Sequence, residues 1–127
     1  MPQGDQIVWR LFLAQHGAEW PAYAYDVELT GGSGGAATPD PVMQQTWMRL
    51  TAKRIDAVGI RASGVTLFEV RHFAAWQSVG QLIGYRDLFP IDYPEQRIEA
   101  AIIVTDAIDQ QIRAVAERQG LTIILVA

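Results

Sequence analysis

Asp56 in "RIDAVGI", and Glu69 with Arg71 in "VTLFEVR", are the residues whose types and spacing could do chemistry in this sequence. Both segments are apolar and alternating, and "RASG" between them reads as a turn. Side chains alternate along a strand, so Val65, Leu67, Glu69 and Arg71 share one face, and Arg54, Asp56, Val58 and Ile60 share one face. With Ala62 and Ser63 at the centre of the turn, Asp56 falls opposite Glu69 and Arg54 opposite Arg71. A bulge at Gly64 would absorb an extra loop residue without flipping either set. Two opposed carboxylates flanked by leucine and valine repel, and each raises the pKa of the other. Two arrangements relieve them: pairing with Arg54 and Arg71 in a structural network, or a hard divalent cation held between them by oxygen ligands. Magnesium keeps several waters and suits so sparse a site. Zinc does not, because the chain has 2 histidines and no cysteine, and His72 faces away from Glu69.

These residues need elements to position them. Residues 5–15 place Ile7, Val8, Leu11 and Phe12 on one helical face, with Gly17 as the stop. "WPAYAYDVEL" alternates as a strand from Trp20 to Leu29. "TGGSGGAATPDP" is a loop; no lysine follows its glycines, so a phosphate cradle is disfavoured. A strand is expected within "MQQTWMRLTAKRIDAVGI", best formed from Arg49 to Ile60, and another in "VTLFEVRHF". Ala74–Leu88 is expected to be a helix, with "FPIDYPEQR" as a connecting loop. Gly80 and Gly84 on this helix are expected to let it pack close to the sheet. "IEAAIIVT" is apolar throughout, as a central strand requires. The helix in "DAIDQQIRAVAERQ" takes Thr105 or Asp106 as cap and Gly120 as stop. "LTIILV" is the last strand, joined to "IEAAIIVT" by a right-handed parallel crossover. The expected order is α-β-β-β-α-β-α-β, a mixed α/β sheet in one domain spanning 1–127. Trp9, Trp20, Trp47 and Trp76 are expected in the core or at an interface.

Asp56, then Glu69-Val70-Arg71 on the next strand, then Gln81-Leu82-Ile83-Gly84-Tyr85 on a helix resemble the PD-(D/E)XK nuclease superfamily. The resemblance is greatest to its RecB-type branch, which carries Q-x-x-x-Y after E-x-K. The element order is similar to that superfamily's core with a helix and strand appended, so the resemblance spans essentially the whole chain. It implies a restriction-endonuclease-like fold and metal-dependent hydrolysis of phosphodiester bonds in DNA. It implies Asp56 and Glu69 as carboxylate ligands of Mg2+ or Mn2+, with the Val70 carbonyl completing the site. Gln81 and Tyr85 would shape the site and touch the nucleic-acid backbone. An acid on the first helix often assists in this superfamily; Asp5 is the candidate there, and Asp26 and Glu28 are alternatives on the first strand. The cation would polarise a phosphoryl oxygen and lower the pKa of water, and basic strands would hold phosphates. Many members act as dimers, so a homo-oligomer or larger assembly is compatible.

The chain departs from that pattern at Arg71, where the family has lysine. Lysine can lose a proton when its pKa is depressed, whereas arginine stays protonated and can only stabilise charge. Lys53 is the single lysine, and strand parity turns it away from Asp56. Gln77 or Gln81 could orient a water but not take its proton. Two readings follow: a small nuclease weakened by Arg71, or a nuclease fold kept as a binding or assembly module, for instance in a phage particle. In the second, Arg54–Asp56 and Arg71–Glu69 are structural ion pairs.

Composition sets the frame. The chain has 127 residues, half of them hydrophobic, enough to bury a real core. The net charge of −4 and pI of about 5 disfavour coating of nucleic acid by bulk charge. Yet Arg49, Lys53, Arg54, Arg61, Arg71 and Arg86 make the middle of the chain locally basic. No apolar run approaches the roughly 20 residues that cross a bilayer. The first residues read as mature structure. A cytoplasmic protein is expected, or a virion-associated one if the assembly reading holds.

Overall fold

The computed structural model describes residues 1–30, 38–50 and 53–127, without the side chains of 46–50. The chain runs α1 (Gln3–His16), a short 3-10 turn (Gly17–Glu19), β1 (Ala22–Leu29), α2 (Pro41–Leu50), β2 (Lys53–Arg61), β3 (Gly64–Arg71), α3 (Trp76–Asp92), β4 (Ile98–Thr105), α4 (Gln110–Arg118) and β5 (Thr122–Leu125). The five strands form one sheet in the order β1-β2-β3-β4-β5. The first three are antiparallel, and β3, β4 and β5 are parallel, as the crossover predicts. The result is a mixed α/β sheet with helices on both faces.

Each face has its own core. Val8, Trp9 and Phe12 of α1 pack with Trp20, Phe68, Val70 and Val104 on one face. Phe68 is the hub, with ring centroids 5.4 Å from Trp9, 5.2 Å from Phe12 and 5.1 Å from Trp20. On the other face Val79, Leu82, Tyr85 and Phe89 of α3, with Ile112 and Ala116 of α4, cover Leu67, Ala101 and Ile103. Strand β4 contributes to both cores, which is why its sequence is apolar without alternation.

The β2–β3 hairpin has the expected register. Ala62 and Ser63 form the turn, and the ladder runs from Arg61↔Gly64 to Ala57↔Phe68. It stops there, so Asp56 and Glu69 are neighbours beyond the last rung. No bulge forms at Gly64 between these strands; the shift lies instead between Val65 and Thr66, where β3 meets β4. Gly64 is needed for a different reason. Its φ is +151°, and a Cβ there would lie 2.5 Å from the Arg97 carbonyl oxygen, which accepts from Val65 N at 2.8 Å.

Strict alternation fails at one place in β2. Tyr25 pairs with Ala57 and Val27 with Ile55, but the Asp26·Asp56 pair between them is skipped, and Asp26 has a φ of 51°. Ala57 packs on the α1 side and Ile55 on the α3 side, although two residues apart on a regular strand they would point the same way. The β1–β2 ribbon therefore turns over at the two aspartates.

Other expectations change for local reasons. Residues 41–50 are helical, not strand, and β2 begins at Lys53 rather than Arg49. Asp40 caps α2, accepting from Val42 N at 3.0 Å, and Pro41 takes the first helical position, which needs no N–H donor. α3 continues through Pro90 to Asp92, because buried Phe89 stacks on Tyr93 at 4.8 Å and its carbonyl accepts from Tyr93 N. The cap of α4 is Asp109, not Thr105 or Asp106; it accepts from Gln111 N at 2.8 Å. Gly120, with φ +81°, ends that helix as expected. On α1 the buried residue is Trp9 rather than Ile7, which is 53% exposed. Gly80 and Gly84 make no close approach, since a Cβ at either meets nothing within 4 Å. Most of the glycine-rich loop, and the Trp47 side chain, lie outside the described residues.

Candidate active site

Beyond the last rung of the β2–β3 ladder the backbones separate, and side chains take over the bonding. Asp56 Oδ2 accepts from Val70 N at 2.9 Å, a place a ladder carbonyl would otherwise fill. Glu69 points from β3 toward α3 and is 1% exposed. Its Oε2 is buried and has no hydrogen-bond partner among the described residues. Burial pushes its pKa up to about 9, helped by the neighbouring Asp56 charge and a hydrogen bond with Asp56, and opposed by Arg71. Asp56 and Glu69 thus lie beside each other, and burial keeps the proton on Glu69 at neutral pH.

Arg71 closes this point from the end of β3. Its Nε lies 3.4 Å from Glu69 Oε1, its Nη1 donates to Asp5 Oδ2 at 3.1 Å, and its Nη2 donates to Gln81 Oε1 at 3.2 Å. Burial works against its proton, but Glu69, Asp56 and Asp5 outweigh that and raise its pKa. Asp5, 5% exposed in the first turn of α1, also accepts from His72 N at 2.8 Å. The planar guanidinium, with five donors in a fixed fork, suits this three-way role.

The expected residues are therefore brought together unequally. Asp56, Glu69, Arg71 and Gln81 converge, and Val70 joins them through its amide. Tyr85 is buried in the α3-side core; burial first, then the Glu69 and Asp56 charges, push its hydroxyl up to about 12. Asp5 reaches the site through Arg71. Asp26 does not touch Arg71; with Asp56, Trp9, Arg10 and Tyr25 it lines a cleft of about 260 Å3 on the α1 side. Glu28 pairs with Arg54 in the β1–β2 ladder and is exposed. The expected Arg54–Asp56 ion pair does not form among the described residues, because β2 has turned over at Asp56.

One feature had no clear sequence signal. After Arg71 the chain makes a tight turn held by the end of β4. Asp106 accepts from Phe73 N at 2.9 Å and from the His72 ring at 2.6 Å, and Thr105 Oγ1 accepts from Ala74 N at 3.0 Å. The sequence pattern offers one or the other of these residues as the cap of the next helix.

No known protein-family model matches the chain, and no curated protein matches it in sequence. Among solved structures it is similar to a complex of EndoMS with dsDNA (13% identity, TM-score 0.54, covering 100% of this chain and 47% of that one). It is also similar to a repair endonuclease from Pyrococcus abyssi (14% identity, TM-score 0.56, covering 99% of this chain and 47% of that one). The chain thus spans about half the length of these structures. At such identity the likeness is one of fold, and the fold is the restriction-endonuclease-like one.

Proposed function

We propose that this chain binds the DNA backbone where β2 and β3 separate and hydrolyses phosphodiester bonds there with Mg2+ or Mn2+, as a RecB-type PD-(D/E)XK nuclease carrying Arg71 in place of lysine. The observation behind this reading is the meeting of Asp56 with Glu69, one of whose oxygens is buried and unpartnered. Among the described residues no three acidic or histidine side chains surround one point. Two carboxylates and the Val70 carbonyl are what remains, a sparse oxygen set that fits magnesium. A cation held there would supply Lewis acidity at a phosphoryl oxygen. Gln81 orients water or phosphate, Arg71 stabilises developing charge, and Asp5 fixes Arg71. The solved relative in complex with dsDNA supports DNA as the partner.

A specific observation favours a second reading, in which the fold is kept and the chemistry lost. Arg71 is already engaged by Asp5, Glu69 and Gln81, and a protonated Glu69 needs no further cation. Such a network holds a binding or assembly module together without a ligand.

Nicking of single-stranded, duplex and branched DNA with manganese separates the two. Cleavage by the wild type and none by Asp56→Ala is the expected result. Silence from both, with no heat of metal binding at millimolar concentration, supports the module. Equal cleavage by both variants identifies a contaminant and removes the nuclease reading. Metal binding must also release the proton on Glu69, so its affinity should rise with pH between about 6 and 9.

A further inference from the structure

We propose that the cleft beside Asp56 seats the DNA strand next to the reacting phosphate, with the Arg10 guanidinium holding a flanking phosphate; this rests on the reading of the chain as a DNA-binding nuclease.

The first support is place. The cleft of about 260 Å3 on the α1 side is lined by Gln6, Trp9, Arg10, Tyr25, Asp26 and Asp56. Asp56 is half-buried and Glu69 is 1% exposed, so a ligand in the cleft reaches the carboxylate pair through Asp56. Helix α1 serves both places. Asp5 in its first turn bonds Arg71 at the end of β3, and Arg10 follows later on the same helix. At 1.5 Å of rise per residue, Arg10 lies about 7.5 Å further along the helix than Asp5. A DNA strand advances about 3.4 Å per nucleotide along the duplex axis, so this offset corresponds to about two nucleotides.

The second support is charge. Arg10 is exposed and forms no ion pair among the described residues, although Asp26 and Asp56 line the same cleft. Arg61, Arg71 and Arg113, by contrast, each hold a carboxylate. The cleft therefore carries one cation and two anions that do not pair with one another. A phosphodiester entering with a divalent cation matches both signs. The carboxylates meet the metal, and the guanidinium meets the phosphate, whose oxygens fit its fork. A bare anion would be repelled by Asp26 and Asp56, a bare cation would leave Arg10 unmatched, and an apolar protein segment would leave all three.

The third support is rigidity. Tyr25 Oη accepts from Trp9 Nε1 at 3.2 Å, and the two rings stand edge to face with centroids 6.0 Å apart. Trp9 is in turn packed on Phe12 and Phe68. The Tyr25 wall is thus fixed before any ligand arrives, and a preformed site loses less freedom on binding.

The test uses the full chain and a labelled duplex oligodeoxynucleotide in calcium, with the strands checked for integrity on a gel after each titration. Affinity is measured by anisotropy over a salt series. Each phosphate contact contributes about 0.9 to the slope of log K against log salt. Arg10→Ala is expected to weaken binding about tenfold and to lower that slope by about one contact. Arg10→Lys should keep the slope and recover part of the affinity, because it keeps the charge and loses the fork. Arg118→Ala removes an exposed arginine of α4 that has no ion pair among the described residues, and should change neither. In manganese, Arg10→Ala should raise the KM of nicking more than it lowers kcat. An unchanged slope in Arg10→Ala, or equal losses in Arg10→Ala and Arg118→Ala, would overturn the proposal. If the wild type nicks DNA while Arg10→Ala keeps both slope and KM, the cleft fails and the nuclease reading stands. If the wild type binds DNA through Arg10 and never nicks it, the cleft stands and the chemistry fails. If it binds no DNA, both fail.

Discussion

Replacing Arg71 by lysine is expected to raise manganese-dependent nicking by about a hundredfold over the wild type, the usual scale of a gained proton-transfer group. The guanidinium cannot give up a proton near neutral pH, so Arg71 can stabilise charge but cannot act as a base. A lysine at the end of β3 begins in the same place, between Glu69 and Asp5. The carboxylates that raise the pKa of Arg71 would also hold a lysine protonated. The gain should therefore appear only with a divalent cation present to offset their charge. The substitution has a structural cost: an ammonium is a compact point charge without the extended fork that spans Asp5, Glu69 and Gln81, and about 1–2 kcal/mol of stability should be lost. Plasmid nicking by Arg71→Lys, with Asp56→Ala/Arg71→Lys as the control, reads the effect. A rate equal to that of wild type in the presence of manganese would remove Arg71 from any account of the chemistry.

The second large effect concerns Glu69 and pH. Its folded pKa of about 9 lies far above the ordinary glutamate value of 4.5, so the folded state binds a proton that the unfolded state releases. That proton stabilises the fold fully below about pH 4.5, and the contribution is lost as pH rises toward 9. Glu69→Gln has the same shape and no charge to lose. Relative to it, the wild type should lose about 4 kcal/mol between pH 5 and pH 8, since each pH unit inside the window is worth up to roughly 1.4 kcal/mol. Glu69 is 1% exposed, so solvent offers it little screening. Urea denaturation of both proteins in EDTA at several pH values measures the gap. Curves that stay parallel across this range would mean that Glu69 is ionised and fully paired with Arg71 in the native state.

Much of this was legible in the sequence because period-two and period-3.6 patterns carry it. The β2–β3 register followed from a two-residue turn, and the meeting of Asp56 and Glu69 followed from the register. The parallel pairing of β4 and β5 followed from two apolar runs with a helix between them. What could not be read was decided by contacts distant in the chain. Nothing local says that Asp106 will bond the amide of Phe73 across the sheet, or that Arg71 will choose Asp5 over Asp56. The missed helix α2 is different, because Asp40-Pro41 is a start signal in plain view. It was outweighed by the strand that follows. Parity misled at Asp56 because it assumes an unbroken ladder, and a single left-handed residue at Asp26 breaks it.

That break also bears on motion. The β1–β2 ribbon changes its packing along one line at Asp26 and Asp56: Leu29 and Ile55 on one side of it lie in the α3-side core, whereas on the other side Ala57 lies in the α1-side core and Val58 in the α3-side one. Flexing along this line would change the spacing between Asp56 and Glu69. Millisecond exchange in relaxation-dispersion spectra, confined to residues flanking the two aspartates and quenched when DNA is added, is the signature expected of such a hinge; uniform rigidity along β2 would exclude it.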